Sequence, residues 1–134
     1  MRAALLLPLL AAALLPSDLR ADSFEIPAWA FDRGNVRTFT SEWADGEPMI
    51  AFGGTSPVWV EYDLDLPAPG PVTLSIRHAA NSSRPVDLIV DGQPGAKACR
   101  GVTGSWNTTS AHWEETATLD LAAGPHRFRL QRTN

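Results

Sequence analysis

From residue 58 onward the chain alternates apolar and polar positions with period two, broken at regular intervals by turn residues. In Trp59-Val60-Glu61-Tyr62-Asp63-Leu64-Asp65-Leu66, the side chains of Val60, Tyr62, Leu64 and Leu66 share one face, and Trp59, Glu61, Asp63 and Asp65 share the other. That is the pattern of a strand buried on one side. The same pattern predicts strands at 72–77, 86–90, 116–121 and 127–130, separated by Pro67-Ala68-Pro69-Gly70, residues 81–85, the tight-turn pair Asp91-Gly92, and Ala123-Gly124-Pro125. Shorter candidates lie at 24–28, 36–41 and 49–52, with a weaker one at 98–102. Eight or nine strands with no crossover helix predict an all-β fold, an antiparallel β-sandwich or jelly roll, because parallel strands need long, usually helical, connections.

The first 21 residues depart from this pattern. Met1-Arg2 is followed by an apolar Ala/Leu run over 3–15, interrupted by Pro8 and ended by Pro16-Ser17-Asp18. Such a run is shorter than the ~20 residues a membrane span needs and fits the apolar region of an export leader. The expectation is a leader at 1–21, cut after Ala21 or after Ser17, with one domain at 22–134 that is secreted or periplasmic and free of the membrane after cleavage. The competing reading of the run is a buried N-terminal helix.

Charge narrows the partners. The chain carries 11 Lys and Arg against 15 Asp and Glu, a net charge of −4. Loss of Arg2, Arg20 and Asp18 with the leader leaves 9 against 14, or −5. An acidic domain argues against nucleic acid, whose phosphates require clustered basic residues. The cluster Arg127, Arg129 and Arg132 reads as a solvated outer face of a strand. Cys99 is the single cysteine, so these residues form no internal disulfide, and the core must hold the fold.

Signals for catalysis are weak. His78, His112 and His126 lie in separate segments without metal-type spacing and read as surface or turn residues. Cys99 has no partner pattern for a thiol nucleophile and reads as a small buried or half-buried side chain. The acid pairs Glu114-Glu115 and Asp63/Asp65 read as solubilising residues on strand exteriors rather than a glycosidase pair. The expectation is a protein that is not an enzyme.

Tryptophan is the exception, with five residues in 134. Trp106 lies in the polar run Thr103-Gly104-Ser105-Trp106-Asn107-Thr108-Thr109-Ser110, and Trp113 follows it. A sugar ring presents an apolar C–H face and a rim of hydroxyls, so its site needs an aromatic plane beside amides, hydroxyls or carboxylates. Trp106 and Trp113 with Asn107 and Glu114 suit that chemistry, while Trp113 equally suits a cap on the end of the core. Trp29 and Trp59 read as structural, and Trp43, among Glu42, Asp45 and Glu47, stays open.

Taken in order, several segments resemble carbohydrate-binding modules of the family 6/35 type, β-sandwiches with a galactose-binding-like fold. They are Phe24-Glu25-Ile26-Pro27-Ala28, Val58-Trp59-Val60-Glu61-Tyr62-Asp63, Ser75-Ile76-Arg77-His78-Ala79 running into Asn81, and Leu88-Ile89-Val90-Asp91-Gly92. Thr103-Gly104-Ser105-Trp106-Asn107 leading to Trp113 follows, and then the stretch from Leu121 through Gly124-Pro125-His126 to Leu130. The resemblance implies non-catalytic binding of a polysaccharide or oligosaccharide, often beside a catalytic domain in a longer polypeptide. It implies that Trp113, or Trp106, stacks on the sugar with Phe52 as a second aromatic. It also implies a structural calcium, for which Glu25 alone represents the family's paired N-terminal acids. Two other readings stand beside this one. One is a structural or protein-interaction sandwich without a sugar site, and the other is the N-terminal accessory domain of a longer exported glycoside hydrolase or other enzyme.

Overall fold

The computed structural model describes residues 2–6 and 21–133. Among them are the strands β1 (Arg2–Leu6), β2 (Ala21–Glu25), β3 (Arg33–Gly34), β4 (Arg37–Phe39), β5 (Met49–Ala51), β6 (Val58–Leu66), β7 (Gly70–His78), β8 (Val86–Val90), β9 (Gln93–Ala98), β10 (His112–Leu121) and β11 (Gly124–Arg132). A four-stranded sheet runs β10-β7-β1-β2, a five-stranded sheet runs β3-β6-β11-β8-β9, and β4 pairs with β5. All pairings are antiparallel. The fold is the antiparallel β-sandwich that the alternation predicts.

Of the stretch read as a leader, residues 1 and 7–20 lie outside the described residues. Arg2–Leu6 runs as a strand between β7 and β2, and Ala21 opens β2. The expected strand at 24–28 therefore sits earlier, ending at Glu25, because Ile26-Pro27 leads into a turn closed by the Ala30 N–H on the Pro27 carbonyl at 2.9 Å.

The core is built from the alternate positions already named. Val58, Val60, Tyr62 and Leu66 of β6 are buried, as are Val72, Leu74 and Ile76 of β7, Val86, Leu88 and Val90 of β8, and Phe128 and Leu130 of β11. Tyr62 also donates its hydroxyl to the Ala28 carbonyl at 2.6 Å, and burial pushes its pKa well up. The weak strand expected at 98–102 is displaced. Asp91 and Gly92 both take positive φ (51° and 78°) and fold β8 back onto β9, which ends at Ala98, and Cys99 at φ 56° turns the chain away. Pro94 is tolerated because β9 is a sheet edge.

The outward positions of the five-stranded sheet are not a free basic stripe. Register sets Glu61 opposite both Arg129 and Arg33 and Asp63 opposite Arg127. Arg33 Nε and Arg129 Nη1 each lie 2.9 Å from the Glu61 carboxylate. Burial alone would raise the pKa of Glu61, but Arg33 and Arg129 outweigh it and hold the carboxylate below its usual range. The Arg129 guanidinium also lies over Trp59, 4.1 Å from the ring centre, which keeps Trp59 on the outer face of this sheet and out of the cleft described below.

His126 follows the turn into β11, but of the surface or turn role expected of it the surface part does not hold. Its side chain is only 10% exposed, with Nδ1 at 2.6 Å from Asp91 Oδ2 and Nε2 at 2.7 Å from the Ala122 carbonyl. Both partners are acceptors, so only the doubly protonated ring satisfies both. The hydrogen bond that His126 donates to Asp91 raises the pKa of His126 above 6.5, with the one to the Ala122 carbonyl adding to it. For Asp91, burial works upward, but the Arg127 N–H and His126 outweigh it and lower its pKa below 3.8. A raised histidine stabilises fully below its unfolded pKa and loses that contribution as pH climbs through the folded one, and a depressed aspartate loses its contribution as pH falls. The pair should therefore stabilise most between about pH 4 and 6.5. His126→Gln should remove about 1 kcal/mol at pH 5.5 and less at pH 9, allowing for a half-exposed Asp91. Thermal melts of both proteins across that range check this, and a difference independent of pH would refute it.

Candidate functional site: an aromatic cleft at one end of the sandwich

The C-terminal ends of β2, β7, β9 and β11 and the starts of β8 and β10 meet at one end of the sandwich, where the β4–β5 pair and the loops between strands enclose a cleft of about 730 Å³. That size suits a small-molecule or oligomer site. Seven aromatic side chains line it: Trp29, Phe39, Trp43, Phe52, Trp106 and Trp113, with the buried Tyr62 at its floor. Trp29, Trp43 and Trp113 are 49%, 47% and 39% exposed, unusual for side chains of this size.

Trp113 owes its direction to a bulge. Read by alternation, residue 113 shares a face with Ala117, Leu119 and Leu121, which pack inward, and it would cap the core. The register between β10 and β7 slips by one residue between Glu115 and Ala117, so Trp113 stands opposite Arg77 while Ala117 stands opposite Leu74. The extra residue, Thr116, reverses the facing of everything before it. Its Oγ1 is buried with no hydrogen-bond partner among the described residues, a local cost of the slip. Glu114 correspondingly turns to the side of Ile76. Its carboxylate accepts from the Arg100 and Gly101 backbone N–H groups, both at 2.9 Å, and lies 3.2 Å from His78 Nε2. A Cβ on Gly101 would come within 3.0 Å of that carboxylate, so glycine is what lets the loop close on it. Burial raises the pKa of Glu114, but those two backbone donors and His78 outweigh it and leave a carboxylate held ionised as a clamp. His78, the last residue of β7 before the loop, is thus a largely buried clamp partner, so of the surface or turn role expected of it the surface part does not hold.

The loop of 103–110 folds on its own polar groups. Thr103 Oγ1 accepts from the Ala80 N–H at 2.9 Å, and Ser110 Oγ donates to the Asn107 carbonyl at 2.8 Å. Asn107 Oδ1 accepts from both the N–H and the hydroxyl of Thr109 at 3.1 Å, capping a single 3-10 turn at Thr108–Ser110. Asn107 does not line the cleft, and the hydroxyls of Thr103, Ser105, Thr109 and Ser110 serve the hydrogen bonds that hold the loop. What the loop delivers is Trp106, whose ring carries the guanidinium of Arg84 at 4.6 Å.

Thr108 ties the loop to the opposite part of the site. Its Oγ1 donates to the buried Ala44 carbonyl at 2.8 Å, and its own carbonyl accepts from Arg77 Nη2 at 3.3 Å, while Arg77 Nη1 pairs with Glu47 at 2.5 Å. Ala44 ends the 3-10 turn Glu42–Ala44, entered through Glu42 at φ 61° and left through Asp45 at φ 46°. That turn presents Trp43, which meets Phe39 edge-on at 6.1 Å. Trp29 enters from the turn after β2. It lines the cleft rather than having the structural place expected of it, because the Pro27–Ala30 turn holds it away from the core.

Of the residues singled out from the sequence, the structure therefore brings Trp113, Trp106, Phe52 and Glu25 to the cleft and leaves Asn107 out. Phe52 is half-buried and also packs on the core. Trp29, Trp43 and Phe39 were not assigned to a site. Trp29 and Trp43 lie in segments without strand periodicity, Phe39 lies in the short strand candidate at 36–41, and the one local signal is the four-residue spacing of Phe39 and Trp43. The described residues do not fit a calcium ion. Such an ion takes six to eight oxygens, several from carboxylates, and among the described residues no three His, Cys, Asp or Glu side chains gather. Among the described residues, Glu25 belongs to no such group.

No protein-family model matches the chain, and no curated protein matches it. Solved structures do. A family 35 carbohydrate-binding module from an environmental isolate matches over 78% of this chain and 76% of its own, with a TM-score of 0.62 at 15% identity. The family 35 module of Cellvibrio japonicus Abf62 matches at 26% identity and TM-score 0.50 over 58% of this chain and 56% of its own. A cycloisomaltooligosaccharide glucanotransferase of Paenibacillus sp., solved with cycloisomaltoheptaose, matches over 81% of this chain with a TM-score of 0.63 at 19% identity. The chain spans only 16% of that enzyme's length. The chain has the fold of the family 35 carbohydrate-binding modules, the galactose-binding-like sandwich its sequence resembles.

Proposed function

We propose that the domain is a non-catalytic carbohydrate-binding module that takes an oligosaccharide or a stretch of polysaccharide into the aromatic cleft. The carrying observation is the cleft itself, where three half-exposed tryptophans from three separate segments converge between polar and charged groups. Their ring planes suit the C–H faces of sugars, and Arg77, Arg84 and backbone groups suit the hydroxyl rim. In this reading residues 1–21 are an export leader, and the protein acts in the periplasm or outside the cell. Its loss would remove β1 from the four-stranded sheet, yet the cleft is built from Glu25 onward. The glucanotransferase match favours the accessory-domain version, in which the module serves a catalytic domain in a longer polypeptide.

Tryptophan fluorescence under titration with a panel of neutral and charged oligosaccharides tests the proposal. Saturable change with affinity between about micromolar and millimolar is expected of an open site of this kind. A flat response across the panel, with no ligand seen by calorimetry, would leave the protein-interaction reading in its place.

A further inference from the structure

The four-stranded sheet contains a strand that an exported protein would not keep. Its order is β10-β7-β1-β2, so Arg2–Leu6 lies between β7 and β2. β1 is antiparallel to both, with Ala3 opposite Leu74 and Phe24, and Leu5 opposite Val72 and Asp22. β7 and β2 are therefore parallel to each other and stand two strand spacings apart, about 9–10 Å. Among the described residues β2 pairs with no other strand. Once residues 1–21 are cut away, this side of the sandwich is the β10–β7 pair alone, facing five strands. β7 is then an open edge along 72–75, and what remains of β2 has no ladder.

A gap bounded on both sides by backbone donors and acceptors is matched by an extended polypeptide, whose own N–H and C=O groups point both ways. The core sets the sequence that fits. Val72 and Leu74 are buried core residues. Directly opposed residues of an antiparallel pair share a face, so an incoming strand needs aliphatic residues at the two positions across from them. The sequence of β1 meets that need with Ala3 and Leu5. Each of β3 to β11 already has its place in a sheet, so none of them is free to move across. A second copy does not suit the gap either. Processed in the same way, it has lost this segment, and its edge strands are backed by whole sheets, whereas a gap one strand wide admits only an isolated segment.

We propose that the exported domain is a strand acceptor. Its slot between β7 and β2 takes an extended segment of a partner polypeptide, antiparallel to both, with aliphatic residues opposite Val72 and Leu74. The proposal rests on the export-leader reading of residues 1–21 and does not depend on the ligand of the cleft. A seated strand completes the four-stranded sheet and gives β2 back its ladder. β2 ends at Glu25 and leads into the turn that presents Trp29, so the same strand anchors one wall of the cleft.

The test uses the protein that an expression host exports from the full chain, with its first residue fixed by mass spectrometry. The probe is a labelled synthetic peptide carrying the sequence of Arg2–Leu6 on a soluble tail, followed by fluorescence anisotropy and amide hydrogen exchange. Saturable binding is expected, with exchange slowed in β2 and along 72–75 of β7. In the peptide, Ala4→Pro removes a ladder bond and should weaken binding at least about tenfold. Leu5→Asp sets a charge opposite Val72 and should weaken it as much or more. A full chain with a protease site inserted after Ser17, cut once folded, gives a second sample that need not fold without β1. The labelled peptide should displace the cut segment from it. A peptide that binds neither sample, or binds as well with Ala4→Pro, overturns the proposal. An exported dimer with 72–75 protected before any peptide is added also overturns it, since a second copy then fills the slot. If the exported protein still begins at Met1, the leader reading fails and takes the proposal with it, while the carbohydrate reading stands.

Discussion

Replacing Trp113 by alanine should weaken glycan binding by at least about thirtyfold, the loss of roughly 2 kcal/mol expected of a central aromatic anchor. The fold should barely register the change. Trp113 is 39% exposed and stands opposite Arg77, on the side of the sheet away from Leu74 and Val72, so its removal opens no cavity in the core. A stability loss below about 1 kcal/mol is expected of such a position. Trp113→Phe should recover part of the affinity, because it keeps an aromatic face of smaller area. Trp59→Ala, on the outer face beneath Arg129, should leave affinity unchanged. Calorimetry with the tightest ligand of the panel, paired with a thermal melt of each variant, separates the effects. Unchanged affinity in the Trp113 variant, or equal losses in the Trp113 and Trp59 variants, would remove Trp113 from the site.

The largest loss of stability should come from Phe128→Ala. Phe128 is 1% exposed at the centre of β11, flanked by Tyr62 on β6 and Val90 on β8, and it packs in the main core cluster. Truncating a buried phenylalanine costs about 3–5 kcal/mol, part lost transfer energy and part cavity. For a domain stable by only about 5–15 kcal/mol, that lowers the melting temperature by something on the order of 15–20 °C. Phe128→Leu keeps most of the volume and should cost much less. A drop under about 5 °C for the alanine variant would mean that the two sheets close over the gap more readily than a rigid core allows.

The sandwich was legible wherever one face of a strand is buried, because burial writes a period of two into the sequence. Val60, Tyr62 and Leu66, then Val72, Leu74 and Ile76, then Val86, Leu88 and Val90 announce β6, β7 and β8 directly. β9 was missed because an edge strand tolerates Gln93-Pro94-Gly95, which reads as a turn. The candidate site was legible in part. Trp106 and Trp113 were conspicuous as aromatics beside a polar run, but the same run suggested that Asn107 and the hydroxyls would meet the ligand. They instead supply the hydrogen bonds that a short loop cannot obtain from strands. Trp29 and Trp43 depend on contacts distant in sequence, such as Thr108 Oγ1 on the Ala44 carbonyl, 64 residues away. No local pattern encodes those.

Thr116 gives β10 a property that neither of its halves has alone. On one side of the slip, residues 112–115 place Trp113 toward the cleft, and on the other, Ala117, Leu119 and Leu121 press against the core. The two halves answer to different demands, and substitutions in one leave the phase of the other intact. The bulge itself is the exception. Deleting Thr116 would leave a regular strand that keeps Trp113 opposite Arg77 and Ala117 opposite Leu74, whereas flattening the bulge with every residue kept would set the odd positions on one face, so that either Trp113 would be driven inward or the three apolar side chains would swing out to water. In this strand, then, composition is free to follow the ligand while the slip of register is tied to the fold. Straightening the strand at its present length is the change that would damage recognition and folding together.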